Sequence, residues 1–267
     1  MALTPPIALT IAGSDSGGGA GIQADLRTFA FHRVHGTSAL TCVTAQNTLG
    51  VTRVDALPGE AVTAQITAVV EDLGVQASKT GMLLNADIMN AVANAIEQQG
   101  LAPLVVDPVM VSRTGAVLLD PEAMTTLKQR VIPLATLITP NRWEAQILAQ
   151  QEIHTLGDMR EAALVIARLG CASVLIKGGS LPGESRGTDG WWDGQEWHLF
   201  PQTAIDTPHT HGTGCTLSAA ITARLALGED LAGAIQSAKH YVTAAIAHAL
   251  AIGHGQGPIG HFYPLLT

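Results

Sequence analysis

Short apolar runs alternate along the chain with longer segments in which apolar residues recur every three or four positions. The short runs are typical of buried strands, and the longer segments are typical of amphipathic helices. The pattern predicts strands at 7–13, 37–46, 77–83, 104–109, 136–141 and 173–180. It predicts helices at 21–32, 59–74, 86–100, 121–132, 142–150, 157–170, 213–227 and 230–251.

This repeated strand–helix order favours one α/β domain. Strands that alternate with helices form a mostly parallel sheet that is covered on both faces. An Asp-Gly pair at 193–194 separates two aromatic runs and predicts a small β-hairpin within 189–201. Because no linker-like stretch interrupts the order, we interpret residues 1–267 as a single three-layer α/β/α domain.

Composition and charge narrow the classes of function. The chain of 267 residues carries a formal net charge of −8 and no basic run, which argues against a nucleic-acid partner. No apolar run reaches the roughly 18 residues of a membrane helix, and the first residues lack the basic flank of a signal peptide. Cys42, Cys171 and Cys215 are too widely spaced for a disulfide framework or a zinc site. We therefore expect a cytoplasmic protein with reduced thiols.

Polar or glycine-rich loops follow most of the predicted strands. The carboxyl ends of parallel strands meet at one edge of a sheet, where α/β proteins bind their ligands. The loops are GSDSGGGAG (13–21), Gln46-Asn47, GML (81–83), DPVM (107–110), TPNRWEA (139–145) and KGG (177–179). The first loop departs from a dinucleotide fingerprint, since it lacks that glycine spacing and the next strand ends in Gln46 rather than an acidic residue. A flexible turn is the alternative for this loop.

The stretch Gly212-Thr213-Gly214-Cys215 stands immediately before an apolar helix. A helix N-terminus presents unpaired N–H groups, and glycines let a ligand approach the backbone. The stretch is therefore a candidate cradle for negative charge, such as a phosphoryl group in transfer. At this place the thiolate of Cys215 would be stabilised, which suits a base or a nucleophile. The alternative is a small buried helix residue.

Eight stretches in order carry a resemblance that runs from about residue 7 to the C-terminus. They are IAGSDSGGGAGIQADLRTF (11–29), TAQNT (44–48), KTGML (79–83), DPVMVSRTGAVLL (107–119), TPNRWEA (139–145), KGG (177–179), HGTGCTLSAAI (211–221) and GHGQGPIGHF (253–262). Together they resemble the ribokinase superfamily, and within it the hydroxymethylpyrimidine/phosphomethylpyrimidine kinases of thiamin biosynthesis.

The resemblance implies a ribokinase-like fold and an ATP-dependent kinase that uses Mg²⁺. Such a kinase phosphorylates 4-amino-5-hydroxymethyl-2-methylpyrimidine (HMP) to HMP phosphate, and then HMP phosphate to HMP diphosphate. The resemblance also implies a homodimer. A pyridoxal kinase of the same superfamily and a non-catalytic pyrimidine-binding protein are the alternatives.

The resemblance also implies roles for residues around the transferred group and the substrate. Cys215 stands where most of the superfamily has an aspartate base, and Gly212, Thr213 and Gly214 form the anion hole. Gln46 matches the ring nitrogen and amine of an aminopyrimidine, because its amide is both donor and acceptor; a satisfied strand-end amide is the alternative. The remaining substrate-side residues are Gly13 and Asp25 in the substrate loop and Met82 and Val109 as apolar walls. For Asp25 the alternative is a cap or a salt bridge near Arg27, and for the two walls it is ordinary core packing.

A third group of residues is implied for ATP and the metal. Asp107 and Glu144 organise Mg²⁺, with Asn141 beside them, and Lys177 reaches the ATP phosphates. The alternatives are a solvated helix charge for Glu144 and a solvent-facing Lys177. Arg113 stands where relatives often have a basic residue in a flap over the site. His209 and His211 lie in one loop with no third metal ligand nearby, so we expect them to shape the loop through hydrogen bonds rather than to bind zinc.

Overall fold

A single mixed sheet of nine strands runs through residues 4–111 and 119–266, which are the residues that the computed structural model describes. The strands are β1 (Ile7–Asp15), β2 (His35–Gln46), β3 (Val51–Ala56), β4 (Ala77–Thr80), β5 (Leu104–Val106), β6 (Leu137–Ile138), β7 (Val174–Ile176), β8 (Asp189–Trp192) and β9 (Trp197–Phe200). Their order across the sheet is β3-β2-β1-β4-β5-β6-β7-β8-β9.

The six central strands, from β2 to β7, are parallel, and the strands at both edges are antiparallel. At one edge β8 and β9 form the predicted hairpin, which turns at Asp193-Gly194. At the other edge β3 pairs with β2. The expected mostly parallel sheet with a small hairpin is confirmed, whereas β3 was not predicted. All six residues of β3 are exposed, so its sequence carries no buried alternation from which a strand could be inferred.

Eight α-helices connect the strands within the described ranges. They are α1 (Gly21–Phe31), α2 (Gly59–Leu73), α3 (Ala86–Gln99), α4 (Pro121–Thr126), α5 (Arg142–Ala149), α6 (Leu156–Ala167), α7 (Thr213–Ala226) and α8 (Leu231–Ala247). Several begin where the sequence supplies a cap. The side chains of Asn85, Asp120 and Asp230 each accept a hydrogen bond from the backbone N–H three residues later. The predicted helix at 121–132 is shorter, since α4 gives way to a wider helical turn at Leu127–Val131.

The helices form two layers, and each layer packs through its own hydrophobic core against one face of the sheet. Residues of one sheet face, including Leu104 and Val106, pack with α2 to α6. Val105, which lies between those two residues, packs on the opposite face with α7 and α8. A smaller cluster joins α1 to α7 through Phe29. Alternate residues of a strand therefore point to different helix layers, and the three-layer architecture is confirmed. Among the described helices, none combines the length and the apolar character that crossing a membrane requires.

Candidate active site

The carboxyl edge of the parallel strands gathers the polar loops. Asp15 ends β1 and Gln46 ends β2, while Asp107 follows β5 directly. Asn141 and Lys177 follow β6 and β7 and form an isolated parallel bridge, in which the N–H of Lys177 donates to the carbonyl of Pro140 at 2.9 Å. The loops are therefore brought together by the register of the sheet.

Lys177 and Asp107 form an ion pair at the start of α7. The Lys177 Nζ lies 3.1 Å from Asp107 Oδ1, and the Ser218 hydroxyl donates to Asp107 Oδ2 at 3.4 Å. A Cβ added to Gly214 would lie 3.2 Å from Lys177 Nζ and 3.7 Å from Asp107 Oδ2. Desolvation lowers the pKa of Lys177, but the charges of Asp107 and Glu144 outweigh it and raise that pKa above its usual range. A permanent cation therefore stands beside the predicted anion hole.

Gly212 opens α7 in a conformation that only glycine adopts readily. Its φ is +83°, and a Cβ there would lie 1.8 Å from the carbonyl oxygen of Gly19. Among the described residues, no side chain caps α7, and the N–H groups of Gly214 and Cys215 have no protein partner. The first turn of α7 thus offers free donors to an anion, with Lys177 next to them.

Cys215 is half-buried in that same turn, near the backbone N–H of Gly21. Burial raises the pKa of the Cys215 thiol to about 12, although the nearby Lys79 ammonium acts in the opposite direction. The expectation of a stabilised thiolate is therefore wrong for the ligand-free protein. A helix N-terminus lowers a thiol pKa, but here the loss of hydration is the larger effect.

This raised pKa predicts a slow reaction of Cys215 with iodoacetamide. Only the thiolate reacts, so at pH 7 we expect labelling about tenfold or more slower than that of an unfolded cysteine peptide. The rate for Cys215 should still rise between pH 9 and pH 11, where the rate for the peptide levels off. Peptide mapping by mass spectrometry separates Cys215 from the buried Cys42 and Cys171. Fast labelling with a plateau near neutral pH would contradict the prediction.

Asp25 occupies a different place from the one expected. Its carboxylate is fully buried, pairs with Lys79 Nζ at 2.8 Å, and accepts a hydrogen bond from the Thr10 hydroxyl at 2.6 Å. Burial raises the pKa of Asp25, against the opposing charge of Lys79. Since Asp25 has no exposed surface, direct contact with a substrate is corrected to a buried ion pair. Lys79 was not singled out in the sequence, because a lysine inside an apolar strand gives no sign of its partner.

Three of the predicted substrate residues belong to three different strand ends, since Gly13 lies in β1 and Met82 and Val109 follow β4 and β5. A Cβ added to Gly13 would lie 2.7 Å from Cys42 Sγ and 2.9 Å from Met82 Cε, so Gly13 and Met82 are in contact range. Val109 is partly exposed and has a φ of +39°, which is a strained conformation for a β-branched residue. Strain of this kind is concentrated at functional sites. Arg113 lies outside the described residues.

Glu144 and Asn141 are tied to the backbone by a capping box at the start of α5. The Asn141 side chain accepts the N–H of Glu144, and Glu144 Oε2 accepts the N–H of Asn141 at 2.8 Å. Glu144 Oε1 accepts the N–H of Met110 at 3.2 Å. Burial raises the pKa of Glu144, with Lys177 lowering it and Asp107 raising it further. Glu144 is thus a buried carboxylate rather than a solvated helix charge.

A cavity of about 400 Å³ adjoins this arrangement between β7, α7 and α8. Lys177 and Thr213 are among its polar lining residues, and Leu217, Val242 and Ile246 supply apolar surface. The sequence did not single out its other charged residues, Arg186 and Lys239. Lys239 Nζ pairs with Asp189 Oδ2 at 2.6 Å, and Asp189 also accepts the N–H of Gly178. Asp189 therefore fixes the KGG loop (177–179) beside the cavity.

The two histidines shape their loop, as expected. His211 Nε2 lies 2.9 Å from Asp15 Oδ2, and His209 Nδ1 accepts the N–H of Gly257 at 2.9 Å. The second bond anchors the glycine-rich tail, which also bonds to Thr48. Within the described ranges, no group of three or more His, Cys, Asp or Glu side chains could hold a metal ion.

A phosphotransferase is the class of enzyme that this fold and site define, because phosphoryl transfer needs a cation and aligned N–H donors beside a nucleotide-sized cavity. The sequence profile of the phosphomethylpyrimidine kinase family matches residues 15–260. The chain belongs to that family, and its nine-stranded sheet is the ribokinase-like fold.

Individual relatives agree with the family assignment. The hydroxymethylpyrimidine/phosphomethylpyrimidine kinase of Synechococcus elongatus is 63% identical over 260 residues, which cover 97% of this chain and 98% of that protein. The enzyme of the same name from Bacillus subtilis is 48% identical over 96% of this chain and 94% of its own length.

Solved structures from two kinds of kinase resemble the fold closely. An ADP complex of Bacillus subtilis pyridoxal kinase superimposes with a TM-score of 0.93 at 42% identity, covering 99% of this chain and all of the other. The phosphomethylpyrimidine kinase of Clostridium difficile superimposes with a TM-score of 0.81, also at 42% identity, covering 90% of this chain and 99% of the other.

Proposed function

We propose that this enzyme transfers the γ-phosphoryl group of ATP to the hydroxyl group of HMP, and then a second phosphoryl group to HMP phosphate. The observation that carries the proposal is the Lys177–Asp107 pair beside Gly214, in which Lys177 also lines the cavity of about 400 Å³. The names of the relatives with 63% and 48% identity supply the substrate class.

In this proposal the anion hole and Lys177 hold the phosphoryl group in flight. The free N–H groups of Gly214 and Cys215 and the Lys177 ammonium stabilise charge on its outer oxygens, and they are already in place before the reaction. The bond from γ-phosphorus to the bridging oxygen breaks as the bond from the substrate oxygen forms, so ADP leaves with the bridging oxygen. Thr213 and Lys177 line the cavity, and the proposal therefore assigns the nucleotide to that side.

Cys215 orients the substrate hydroxyl. Since its thiol is protonated at neutral pH, its sulfur accepts a hydrogen bond rather than removing a proton outright. Phosphoryl transfer has a loose transition state, so the hydroxyl proton leaves late and passes to the oxygens of the new phosphate ester. Gln46 then recognises the ring, while Gly13, Met82 and the strained Val109 form the walls around it.

Asp107 and Glu144 fit a magnesium ion that arrives with ATP. Carboxylate oxygens are the ligands that Mg²⁺ prefers, and the ion keeps several of its waters. Both oxygens of Glu144 already accept backbone N–H groups, so this carboxylate acts through bound water and through its charge. Asp107 accepts no backbone N–H among the described residues; its Oδ1 faces Lys177 and its Oδ2 lies 3.4 Å from the Ser218 hydroxyl. In this proposal Asn141 contributes to the ATP side of the ion. When bound, the ion supplies charge neutralisation between the ATP phosphates.

The Cys215→Ala variant separates the two phosphorylations. We expect kcat for the first step to fall about tenfold, because an oriented hydroxyl is lost. The second step should fall no more than about twofold, since a phosphate ester is already an anionic nucleophile. Mass spectrometry of the mono- and diphosphate over time measures both rates. Cys171→Ala is the matched control, because Cys171 lies before the N-terminal end of β7, whereas Lys177 follows its C-terminal end. An equal loss in both steps would contradict the proposed role.

Pyridoxal kinase activity is the second candidate. It is favoured by the TM-score of 0.93 to the pyridoxal kinase of Bacillus subtilis. The deciding experiment incubates the purified protein with ATP, magnesium and either HMP or pyridoxal, and identifies products by mass spectrometry. Mono- and then diphosphate of HMP would support the proposal. Pyridoxal phosphate alone would replace the substrate, and no ADP release with either compound would favour a pyrimidine-binding protein.

The whole chain forms one domain in this proposal. One continuous sheet joins β1 to β9, and both core layers contain helices from distant parts of the sequence. We further expect a homodimer, as the family resemblance implies, and sedimentation equilibrium measures this directly.

A further inference from the structure

A buried pair, Asp15 and His211, joins three loops at the substrate side of the site. His211 Nε2 lies 2.9 Å from Asp15 Oδ2, and their side chains are 10% and 3% exposed. The same carboxylate accepts the N–H groups of Gly17, Gly19 and Ala20 at 2.8, 3.0 and 2.8 Å. Asp15 thus links the glycine-rich loop after β1 to the loop that opens the anion hole.

The contact with Asp15 determines which of the two ring nitrogens of His211 carries a hydrogen. Burial raises the pKa of Asp15, but the bonds from His211 and from the loop N–H groups lower it more, so the carboxylate stays ionised. A carboxylate only accepts hydrogen bonds, and His211 Nε2 must therefore be the protonated nitrogen. Among the described residues His211 Nδ1 is buried and has no partner, as suits a nitrogen that carries a lone pair rather than a hydrogen.

When its nitrogen points toward His211, the Gln46 amide makes two unfavourable contacts, one with His211 and one with Thr44. Its nitrogen lies 3.3 Å from His211 Nε2, so two N–H donors face each other. Its oxygen lies 3.3 Å from the Thr44 hydroxyl, but that hydroxyl already donates its hydrogen to the carbonyl of Ser14 at 2.8 Å. Two acceptors therefore face each other as well. A half-turn of the amide relieves both contacts, because its oxygen then shares the His211 Nε2–H with Asp15 and its nitrogen donates to the Thr44 hydroxyl oxygen.

The backbone of Gln46 is held by the glycine-rich loop. The Ser16 hydroxyl accepts the Gln46 N–H at 2.8 Å and donates to the Gln46 carbonyl at 2.8 Å, which ties both main-chain polar groups to the glycine-rich loop. With the main chain held, His211 and Thr44 are the polar side chains that face the terminal amide among the described residues.

We propose that His211 and Thr44 are positioning residues that determine the order of donor and acceptor that Gln46 presents to the substrate. The proposal rests on the proposed function and deepens it. With the amide fixed, one N–H and one carbonyl lone pair remain side by side for the ligand. They match a heteroaromatic ring in which a ring nitrogen adjoins an exocyclic amine. A ring without that amine leaves the Gln46 carbonyl unpaired and is bound more weakly.

Nitrogen NMR of the ligand-free protein tests the proton position without any activity. In protein labelled with ¹⁵N-histidine, the His211 signal is identified by its loss in the His211→Asn variant. We expect the signal of Nε2 to be that of a protonated ring nitrogen. The proposed orientation of Gln46 requires only that Nε2 carries a hydrogen, and a ring whose single hydrogen lies on Nδ1 would overturn it.

Kinetics of Thr44→Val test the consequence for specificity. The variant keeps the shape of the side chain and removes the acceptor, so we expect KM for HMP to rise about tenfold with kcat within about twofold. For the analogue in which hydrogen replaces the ring amine, KM should stay within about twofold. Thr44→Ser retains the hydroxyl and should restore the wild-type values. Equal losses for both compounds, or no rescue by Thr44→Ser, would overturn the proposal.

The two experiments separate this proposal from the proposed function. If the wild-type protein phosphorylates neither HMP nor its analogue, the proposed function fails, and the NMR result alone decides the arrangement of His211 and Gln46. If wild-type activity is present and the Thr44 variants do not discriminate, the function stands and the positioning role fails.

Discussion

Replacing Lys177 with methionine is expected to lower kcat/KM for phosphoryl transfer by about 10²–10³-fold, the usual loss when a preorganised charge-stabilising group is removed. Lys177 Nζ is 3.1 Å from Asp107 and would be 3.2 Å from a Cβ at Gly214, so it stands at the anion hole. Methionine has a similar length and keeps the packing. The loss should appear mainly in kcat, because the transferred phosphoryl group gains charge in the transition state. Initial rates of ADP release measure it.

The same variant should show a distinctive dependence of stability on pH. Without Lys177, the pKa of the buried Glu144 rises further above its unfolded value, so the folded state binds more protons than the unfolded state. Stability is then retained at acidic pH and lost as pH rises above the unfolded carboxyl pKa of about 4.3. The gap in Tm between wild type and variant should therefore widen from pH 5 to pH 8.

Lys128→Met, the same change in the turn Leu127–Val131, is the matched control. It should leave both kcat/KM and the pH profile of Tm unaltered. A Lys177 variant that keeps wild-type kcat would remove Lys177 from the proposed machinery.

Replacing Gly212 with alanine is expected to destabilise the fold by about 3 kcal/mol, and to lower kcat about 10²-fold in the protein that still folds. Two costs combine at this position. The φ of +83° is unfavourable for alanine, and its Cβ would lie 1.8 Å from the carbonyl oxygen of Gly19. Relief of the clash requires the loop before α7 to move, and that loop carries the anion hole. Thermal unfolding and steady-state kinetics measure the two effects.

Gly228→Ala measures the cost of a positive φ without a steric clash, at the opposite end of the same helix. Gly228 has a φ of +87°, but a Cβ there would meet nothing within 4 Å. This control should lower the free energy of unfolding by about 1 kcal/mol and leave kcat unchanged. If both variants lose equal stability and Gly212→Ala keeps full activity, close packing of Gly19 against Gly212 is unimportant for the site.

Much of the architecture could be read from the sequence, because burial imposes a pattern on it. Parallel strands such as β1 and β5 are buried on both faces and appear as continuous apolar runs. The Asp-Gly turn of the β8–β9 hairpin and the glycine before α7 are local signals of equal clarity. The edge strand β3 escaped prediction, since a fully exposed strand is selected only by its pairing with β2.

The candidate site was predictable to a lesser degree. Polar residues that follow parallel strands must share one edge, so Asp107 and Lys177 could be grouped from the sequence, whereas Gly214 was joined to them by the family resemblance. Nothing in the sequence indicates that Asp25 is sealed against Lys79, or that Arg186 and Lys239 line the nucleotide-sized cavity. Those relations join residues that are far apart in the chain.

The sequence by itself determined the class of fold, the edge at which the site lies and the family to which the chain belongs. These follow from periodicity, turn chemistry and motif order, which are local properties of the chain. Only the tertiary structure decided the charge states and hydrogen-bond partners of the site residues. The raised pKa of Cys215 and the bond between Asp15 and His211 depend on how much water the folded chain excludes and which distant groups it brings within 3 Å.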